Sequence, residues 1–486
     1  MRIQMTVNIQ HVIYLTFCVK INYFLQILGH QNGIIVSLWP KCKSMLVYKF
    51  GGTSVGSVVN MNHVRAIITA NKEQKVVVLS AMSGTTNALV AISETIKNGQ
   101  ASKATEAIHQ LNETYNTTVY DLLQNEVLRQ ETSDYVNTQF KALLAMVSQP
   151  FSQNLHNSIV SMGELLSTFM FSRLLQQEGV HAVLLPALDF MRIDRNHEPD
   201  TFYVKQNLSR LLAEDRNADI YITQGFICLD ADGEVTNLLR GGSDYTATII
   251  GAAIHAQEVQ IWTDIDGFHN NDPRYVHDTQ ALSNLSYDEA AELAYFGAKI
   301  LHPQTVLPVR DLDIPLRLKN TMAPQAHGTL ITNVVHGEGI KAIAAKDGIT
   351  AIKIKSVRML LAHGFLKKVF EIFERYETSI DMITTSEIAV SLTIDDTTHL
   401  EAITAELQEF ATVEIDDYMS IICLVGHHII YHPDTPQLFQ LLQDVNVRMI
   451  AYGGSNNNIS LLVNTSDKLE SLQKLQRYVF ETLQLY

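Results

Sequence analysis

Short apolar runs alternate with longer amphipathic stretches along the chain from residue 45 onward. Six runs are almost continuously hydrophobic, as strands buried on both faces of a parallel sheet require. They are MLVYKF (45–50), KVVVLS (75–80), HAVLLP (181–186), DIYITQGF (219–226), VQIWTDI (259–265) and IPLRL (314–318). Between them, apolar residues recur every three to four positions, which predicts helices near 57–71, 88–97, 101–115, 162–178 and 245–256. The alternation predicts an α/β fold, with a mainly parallel sheet sandwiched by helices.

The pattern changes after residue 332, where two similar units follow each other. The first runs from ITAIKIKS to AVSLTID and the second from YMSIICLVG to NISLLVNT, each as a strand, a helix and further strands. Small repeated βαββ units usually form a region of their own. The sequence therefore predicts an α/β domain over 45–332 and two α+β domains over 345–415 and 416–486.

The first 44 residues fit neither pattern. They are apolar and aromatic without a sustained period, and Lys20 and Asn22 interrupt the apolar run before it reaches the length of a membrane span. A clean strand pattern opens at Met45. We therefore expect residues 1–44 to be a disordered or non-native extension, and Met45 to be the natural start.

Composition and net charge make several classes of function unfavourable. The chain has 486 residues, of which 46% are hydrophobic and 18% charged, as in ordinary globular proteins. A formal net charge of −15 disfavours a nucleic-acid or anionic-membrane surface. The four cysteines lie far apart without a CxxC pair, so neither a zinc site nor a disulfide framework is indicated. The histidines of GHHIIYHP (426–433) are expected to be loop residues rather than metal ligands, and a cytoplasmic location fits best.

Glycine-rich segments follow the first two predicted strands. Lys49 ends the first strand and is followed by Gly51 and Gly52 before a predicted helix, where backbone N–H groups and the positive helix end attract phosphate. SAMSGTTN (80–87) repeats the arrangement after the second strand. Because the carboxyl ends of parallel strands meet at one edge of a sheet, the two loops can share a cleft. Taken alone, each is also typical of a tight turn, and neither is a P-loop or a GxGxxG motif.

Three further segments supply charged groups. In LLRGGSDYTA (238–247), the planar fork of Arg240 suits a carboxylate and Asp244 can pair with a lysine; alternatively, Asp244 or its neighbour is only a helix N-cap. IWTDIDGFHNNDPR (261–274) places polar groups after a strand, and FGAKILHP (296–303) carries Lys299 after a helix that starts with a capping box, SYDE (286–289). Together these turns, lysines and polar ends suit a nucleotide pocket.

Six segments, in order and wording, resemble the aspartokinases of the amino-acid kinase family: KFGGTS, SAMSGTTN, SMGELLS, RGGSDYTA, WTDIDGF with DPR, and FGAKILHP. The resemblance covers essentially residue 45 to the C-terminus, with a tail similar to paired ACT domains, and is greatest to the monofunctional, lysine-sensitive type. It implies transfer of the γ-phosphoryl group of ATP, with Mg²⁺, to the side chain of L-aspartate, which is the first step toward lysine, threonine and methionine. It also implies feedback by an amino acid, lysine being expected, and a homodimer or larger homo-oligomer.

The resemblance assigns roles to individual residues. The catalytic set is Lys49, Asp244 and Lys299. ATP is expected to contact Lys49, Phe50, Gly51, Gly52, Thr263, Asp264, His269, Arg274 and Lys299. Aspartate is expected to contact Thr86, Glu164, Arg240 and Ser243, with Glu164 taking the α-ammonium group and Arg240 a carboxylate. The effector is expected to contact Met359, Gly364, Phe365, Leu366, Asp381, Ser386 and Glu387. Two positions depart from the family pattern, with His269 in place of a tyrosine and Ala362 in place of a serine.

Two other functions stay open on the sequence. A kinase of the same family acting on glutamate, carbamate or a nucleotide is the first, although SMGELLS and RGGSDYTA favour aspartate. The second is a non-catalytic amino-acid sensor that only binds nucleotide. The presence of Lys49, Asp244 and Lys299 disfavours it.

Overall fold

A computed structural model describes residues 45–238, 241–297, 301–356, 363–433 and 435–482 of the chain. The expectation for residues 1–44 falls outside the described residues. The same holds for three of the predicted site residues, Arg240, Lys299 and Met359, and for Ala362.

The first part of the chain is built on an eight-stranded sheet with a small separate hairpin. Its strands are β1 (Leu46–Phe50), β2 (Lys75–Leu79), β3 (Ala182–Leu185), β4 (Ile220–Gln224), the hairpin strands β5 (Ile227–Leu229) and β6 (Val235–Asn237), then β7 (Glu258–Thr263), β8 (Asn284–Ser286), β9 (Leu316–Asn320) and β10 (Thr329–Thr332). The order in the large sheet is β3-β4-β2-β1-β7-β9-β10-β8. All neighbours are parallel except β9 and β10, so the prediction of a mainly parallel sheet is confirmed.

Nine described helices belong to this part. They are α1 (Val58–Thr69), α2 (Thr85–Lys97), α3 (Ala101–Leu122), α4 (Glu126–Met146), α5 (Gln153–Gln177), α6 (Thr201–Glu214), α7 (Gly242–Ile254), α8 (Tyr287–Tyr295) and α9 (Pro303–Arg310). The predicted capping box starts α8, where Ser286 Oγ accepts from Glu289 N at 3.2 Å and Glu289 Oε2 accepts from Ser286 N at 2.8 Å.

Both faces of the central strands are buried, as their continuous apolar runs require. Val47, Val76 and Val78 belong to the core on one face, together with residues of α6 to α9. Tyr48 and Val77, whose side chains alternate with these, belong to a second core with residues of α1 to α5. The sheet is therefore the middle layer of three.

The C-terminal part is built on one antiparallel sheet of six strands. Its elements are β11 (Gly339–Lys355), α10 (Phe365–Arg375), β12 (Ile383–Thr385), β13 (Ala389–Ile394), α11 (Leu400–Gln408), β14 (Thr412–His427), α12 (Thr435–Leu441), β15 (Met449–Ala451), β16 (Asn458–Asn464) and α13 (Lys468–Gln476). The strand order is β12-β13-β11-β14-β16-β15.

The two repeated units share this sheet because β11 and β14 run through both. Gly339 pairs with His427 and Lys346 with Ile421 at one end, while Lys355 pairs with Thr412 at the other. The first half of β11 therefore lies beside the strand of the second unit. Residues 339–344, which precede both predicted α+β domains, are thus part of the sheet. The expected domain limits do not follow the strand pairing here.

Candidate active site

The carboxyl ends of the central strands form one continuous edge. Gly51 N, just after β1, donates to Trp262 O in β7 at 3.4 Å, and Ser80 N, just after β2, donates to Phe50 O at 3.2 Å. Gly225 N, just after β4, donates to Leu79 O at 2.9 Å. Each loop thus begins level with the end of its neighbouring strand. The expectation that these loops meet at one edge of the sheet agrees with the geometry.

A buried ion pair stands at the middle of this edge. Lys49 Nζ lies 2.5 Å from Asp244 Oδ1, and the two side chains are 11% and 17% exposed. Asp244 lies in the first turn of α7, whose N-cap is Gly241 with φ of +72°, so the N-cap interpretation of Asp244 is not what the structure shows. Gly241 and Gly242 both have positive φ, which side chains other than glycine rarely tolerate. The glycine turn therefore aims the carboxylate at the lysine.

A cavity of about 350 Å³, here called the small cavity, opens over the ends of β1, β2 and β4. Glu164 of α5 lies in its wall and is 3% exposed. Its Oε1 accepts from Ala81 N at 3.2 Å, whereas Oε2 has no hydrogen-bond partner among the described residues. Burial raises the pKa of this carboxyl from its usual 4.5 to about 7. A half-satisfied buried carboxylate is a suitable partner for a cationic group of a ligand.

Hydrogen bonds from serine hydroxyl groups connect the elements that form the walls of the small cavity. Ser80 Oγ donates to Ser243 Oγ at 2.9 Å, and Ser167 Oγ of α5 donates to Ser80 O at 2.8 Å. Thr86 also lines the cavity. The structure therefore brings together Thr86, Glu164 and Ser243, three of the four residues predicted to bind aspartate; the fourth lies outside the described residues.

Phe226 is a lining residue that the sequence interpretation missed. It follows β4, and its φ of +69° places a non-glycine residue in the left-handed region. Its N–H donates to Thr246 Oγ1 at 2.9 Å, which fixes the turn. Strained backbone of this kind clusters at functional sites. The signal was available, since β4 was predicted and its carboxyl end had to reach the same edge.

A second cavity of about 660 Å³, here called the large cavity, opens beyond the ends of β7 and β9. Four predicted nucleotide contacts line it: Thr263, Asp264, His269 and Arg274. Ile343–Ala345 of β11 line it as well, so one wall comes from the C-terminal sheet.

The polar residues of the large cavity are held by their neighbours in the same loop. The ring of His269 lies 2.7 Å from Asp266 Oδ1 and 3.1 Å from Thr279 Oγ1. Arg274 donates to both carboxylate oxygens of Asp272, at 2.6 to 3.1 Å. The guanidinium group therefore has a fixed position although its side chain is 69% exposed.

One expectation at the first strand end needs correction, and another stays a prediction. The ring of Phe50 is fully buried and stacks on Trp262 at 5.7 Å, and its carbonyl accepts from Ser80. Like Lys49 and Gly51, Phe50 lines neither cavity, so its contact with ATP stays a prediction. The turn at Gly51 and Gly52 does not lead directly into a helix, because α1 begins only at Val58 after its N-cap. Phosphate binding there would rest on the turn and on Lys49 rather than on a helix end.

The predicted effector residues occupy two places in the C-terminal part. Gly364 is the N-cap of α10 with φ of +86°, and Phe365 and Leu366 follow it. Ser386 and Glu387 lie exposed between β12 and β13, and only Ser386 of the set lines a nearby cavity of about 740 Å³. The described residues therefore do not gather the whole set into one cavity.

Asp381 is buried against the first part of the chain. Its Oδ1 accepts from Lys346 Nζ at 2.7 Å and from the hydroxyl of Tyr295, at the end of α8, at 2.9 Å. Burial raises the pKa of this carboxyl above its usual value, although the lysine opposes the shift. Lys346 also lies 2.8 Å from Asp395. The carboxylate is therefore already paired with an ammonium group of the same chain.

The described part of the chain shows neither a helix suited to a membrane span nor a cluster of metal-ligating side chains. None of its helices has the length and apolarity to cross a membrane. Nor do the described side chains include a group of three or more His, Cys, Asp or Glu that would hold a metal ion.

Both the sequence and the structure are similar to those of known proteins. The chain matches the Amino acid kinase family over residues 44–320 and an ACT domain over 422–478. It is 34% identical over 450 residues to lysine-sensitive aspartokinase 3 of Escherichia coli, covering 90% of this chain and 99% of that protein. The structure is similar to crystal structures of E. coli aspartokinase III with aspartate and ADP (R-state; TM-score 0.78) and with lysine and aspartate (T-state; TM-score 0.75). Each is 34% identical and is matched over 90% of this chain and 100% of that one.

Proposed function

The chain belongs to the aspartokinases of the amino acid kinase family, and from this premise we propose how its residues transfer a phosphoryl group from ATP to L-aspartate. The observation that carries the proposal is the position of the Lys49–Asp244 ion pair. β1 lies between β2 and β7 in the sheet, so Lys49 stands between the small cavity and the large cavity. We assign the acceptor to the small cavity and the donor nucleotide to the large one.

The small cavity suits an amino acid of acidic side chain. The free Oε2 of Glu164 faces no described partner, and we assign it the α-ammonium group of aspartate. Thr86 and Ser243 offer hydroxyl groups to the carboxylates. Arg240 stays a predicted carboxylate partner, since it lies outside the described residues.

The large cavity suits a nucleotide. Thr263, His269 and Arg274 offer a hydroxyl group, an imidazole and a guanidinium group around a concave surface. Asp264 is exposed there and is an oxygen ligand of the kind that Mg²⁺ takes alongside nucleotide phosphates. A bound Mg²⁺ would neutralise charge on the phosphate oxygens. Lys299 stays a predicted partner of the γ-phosphoryl group.

The transfer needs positioning and positive charge rather than a base. An oxygen of the aspartate side-chain carboxylate forms a bond to the γ-phosphorus, and the bond from that phosphorus to the β,γ-bridging oxygen breaks, so that ADP leaves. A carboxyl of pKa about 3.9 is already ionised at neutral pH, so no proton has to move. Lys49, held by Asp244, stabilises the negative charge that shifts between the two cavities. The product is 4-phospho-L-aspartate.

ADP release tests the assignment. Purified protein with ATP, Mg²⁺ and L-aspartate is expected to release ADP, with glutamate and carbamate as control acceptors. Release that depends equally on glutamate, or that does not depend on any acceptor, would contradict the assignment of the small cavity to aspartate.

We further propose that lysine is the feedback effector and that Asp381 contacts its ammonium group. Support comes from the E. coli relative, whose T-state crystal structure contains lysine and aspartate. Within this chain, Asp381 already accepts from an ammonium group, that of Lys346, so the site is chemically suited to one. Its second partner, Tyr295, ends a helix only four residues before Lys299. A ligand that displaced Lys346 would therefore act close to the catalytic segment.

Lysine titration of three proteins tests this effector assignment. Asp381→Ala is expected to raise the lysine concentration for half inhibition about tenfold or more, because an ammonium partner in a buried site is lost. Asp395→Ala is the matched control, since Asp395 also pairs with Lys346 but has no assigned effector contact. Equal shifts in both variants would mean that only Lys346 matters. Inhibition of the wild type by threonine or methionine instead would end the lysine assignment.

Location and assembly remain predictions. Cys228 and Cys423 are free and buried, which is compatible with the proposed cytoplasmic location. We propose a homodimer or larger assembly through the ACT-like part, and size-exclusion chromatography with light scattering would test it.

A further inference from the structure

The loop that forms the large cavity also packs against α13 (Lys468–Gln476), near the C-terminus of the chain. Residues 264–282, here called the nucleotide loop, present one side to the cavity. On the other side, Val276 is 7% exposed and belongs to a core cluster with Leu472 and Leu475 of α13. Ile343 N of β11 also donates to Asn270 O at 2.9 Å. The C-terminal part therefore holds the side of the nucleotide loop that faces away from the large cavity.

Gln476, at the end of α13, bridges the two arms of the nucleotide loop. Its Oε1 accepts from Asn271 Nδ2 at 3.1 Å, and its Nε2 donates to Asp278 O at 3.4 Å. Gln476 and Asn271 are only 3% and 2% exposed. Because neither amide reaches bulk water, removing one would leave buried polar groups of the loop unpaired.

Lys468, at the other end of α13, contacts the loop through its charge. Its Nζ lies 3.8 Å from the centre of the Tyr275 ring and 2.7 Å from Asp347 Oδ2 of β11. The lysine side chain is 8% exposed, so this cation–π contact is largely shielded from water. Ser420 Oγ donates to the other oxygen of Asp347 at 2.7 Å, which fixes the carboxylate.

The geometry points to α13 as a positioning element of the nucleotide site. We propose that Gln476 and Lys468 hold the nucleotide loop in the conformation that binds ATP and ADP, although neither residue lines the large cavity. The proposal rests on the assignment of the large cavity to the nucleotide. Since Arg274 directly precedes Tyr275, a shift of the clamped loop would move the guanidinium group that faces the cavity. Gln476 and Lys468 would thereby affect nucleotide affinity from outside the large cavity, and neither contacts a described residue that lines the small cavity.

Substitutions in α13 test the proposal. Lys468→Met keeps the aliphatic stem without the charge, and Gln476→Leu keeps most of the volume without the amide. Each is expected to weaken ADP binding, measured by calorimetry without aspartate, and to raise the KM for ATP on the order of tenfold, the equivalent of one lost buried polar contact. The KM for aspartate is expected to stay within about twofold. Lys468→Arg, which retains charge and can stack on Tyr275, is expected to restore ADP affinity.

Lys474→Met is the matched control on the same helix, because its ion pairs are with Glu470 and Asp444 rather than with the loop. It is expected to leave both KM values unchanged. Thermal unfolding of each variant separates a loss of fold from a loss of positioning. Unchanged ADP affinity in folded Lys468→Met and Gln476→Leu would overturn the proposal, as would parallel losses for both substrates.

Amide hydrogen exchange gives a second measurement on the unmodified protein. If the clamp couples α13 to the nucleotide, saturating ADP slows exchange of the α13 amides by the reciprocity of linked equilibria. Unchanged exchange in α13 with ADP bound would overturn the proposal. If the wild type binds ADP but does not phosphorylate aspartate, the proposed function fails while the clamp is still tested by these same data.

Discussion

The small cavity and the large cavity differ in where their walls come from. Every described residue that lines the small cavity belongs to the first part of the chain, from the β1 turn to the start of α7. The large cavity takes Ile343–Ala345 from β11, and its loop is held from behind by α13. On the proposed assignment, the described walls of the acceptor side come from the kinase fold alone, whereas the donor side also takes residues from the C-terminal part.

One glycine shows how closely the two parts meet at the donor side. Gly297 lines the large cavity with φ of +145°, and a Cβ there would collide with the carbonyl oxygen of Ala345 in β11. Backbone of the regulatory sheet thus touches backbone of the segment that carries Lys299. Because the two backbones are already in close contact, β11 cannot move toward Gly297 without displacing it.

The largest effect is expected from substitution of Lys49, which is assigned to the boundary between the two cavities. Lys49→Ala removes the charge that stabilises the moving phosphoryl group, so kcat is expected to fall by about 10²- to 10³-fold. The KM values for aspartate and ATP are expected to change much less, because Lys49 is proposed to stabilise the transition state more than either bound substrate. Steady-state kinetics with both substrates varied measures this.

The Lys49 variant needs its own control, since it leaves Asp244 buried without its partner. The double variant Lys49→Met, Asp244→Asn removes both charges and is expected to unfold at a temperature closer to that of the wild type. A kcat of wild-type size in either protein would remove Lys49 from the catalytic site.

A smaller effect separates the acceptor side from the donor side. Glu164→Gln removes the carboxylate assigned to the substrate ammonium group, and the KM for aspartate is expected to rise about ten- to a hundredfold. The KM for ATP should stay near its wild-type value, the reverse of the pattern expected for Lys468→Met. Should Glu164→Gln weaken ATP as much as aspartate, the two cavities would not be independent, and the comparison would fail.

The parallel sheet could be predicted because its signals are local. Continuous apolar runs end in polar loops, and the topology of parallel strands brings those loops to one edge. Lys49 and Asp244, which are 195 positions apart in sequence, were expected to lie in one site only through the resemblance to the aspartokinases. Phe226 was missed because its strand was assigned without following it to the same edge.

The C-terminal sheet could be predicted less well because its pairing is not local. An Asp-Gly pair such as Asp347 and Gly348 is typical of a turn, yet β11 continues through both residues with a register shift, and Gly348 adopts φ of +77°. The strand is therefore much longer than the apolar run from Ile349. The contact of Gln476 with the nucleotide loop spans 205 residues and leaves no local pattern at either end.

The remaining expected effect is a pH dependence confined to the acceptor side. Because burial raises the pKa of Glu164 to about 7, the group is largely protonated below that pH and carries no charge for the substrate ammonium. The kcat/KM for aspartate, which reports groups of the free enzyme, is expected to rise up to tenfold per pH unit and to level off above about pH 7. The KM for ATP, measured at saturating aspartate, is expected to show no matching step.

Stability should change in the opposite direction over the same range, which separates this mechanism from general acid denaturation. The folded pKa of about 7 lies above the usual 4.5, so the folded state binds more protons and loses stability as pH rises between those values. Glu164→Gln should abolish both the kinetic rise and this loss. If the variant keeps the wild-type pH profile of kcat/KM, another group titrates, and Glu164 is not the partner of the ammonium group.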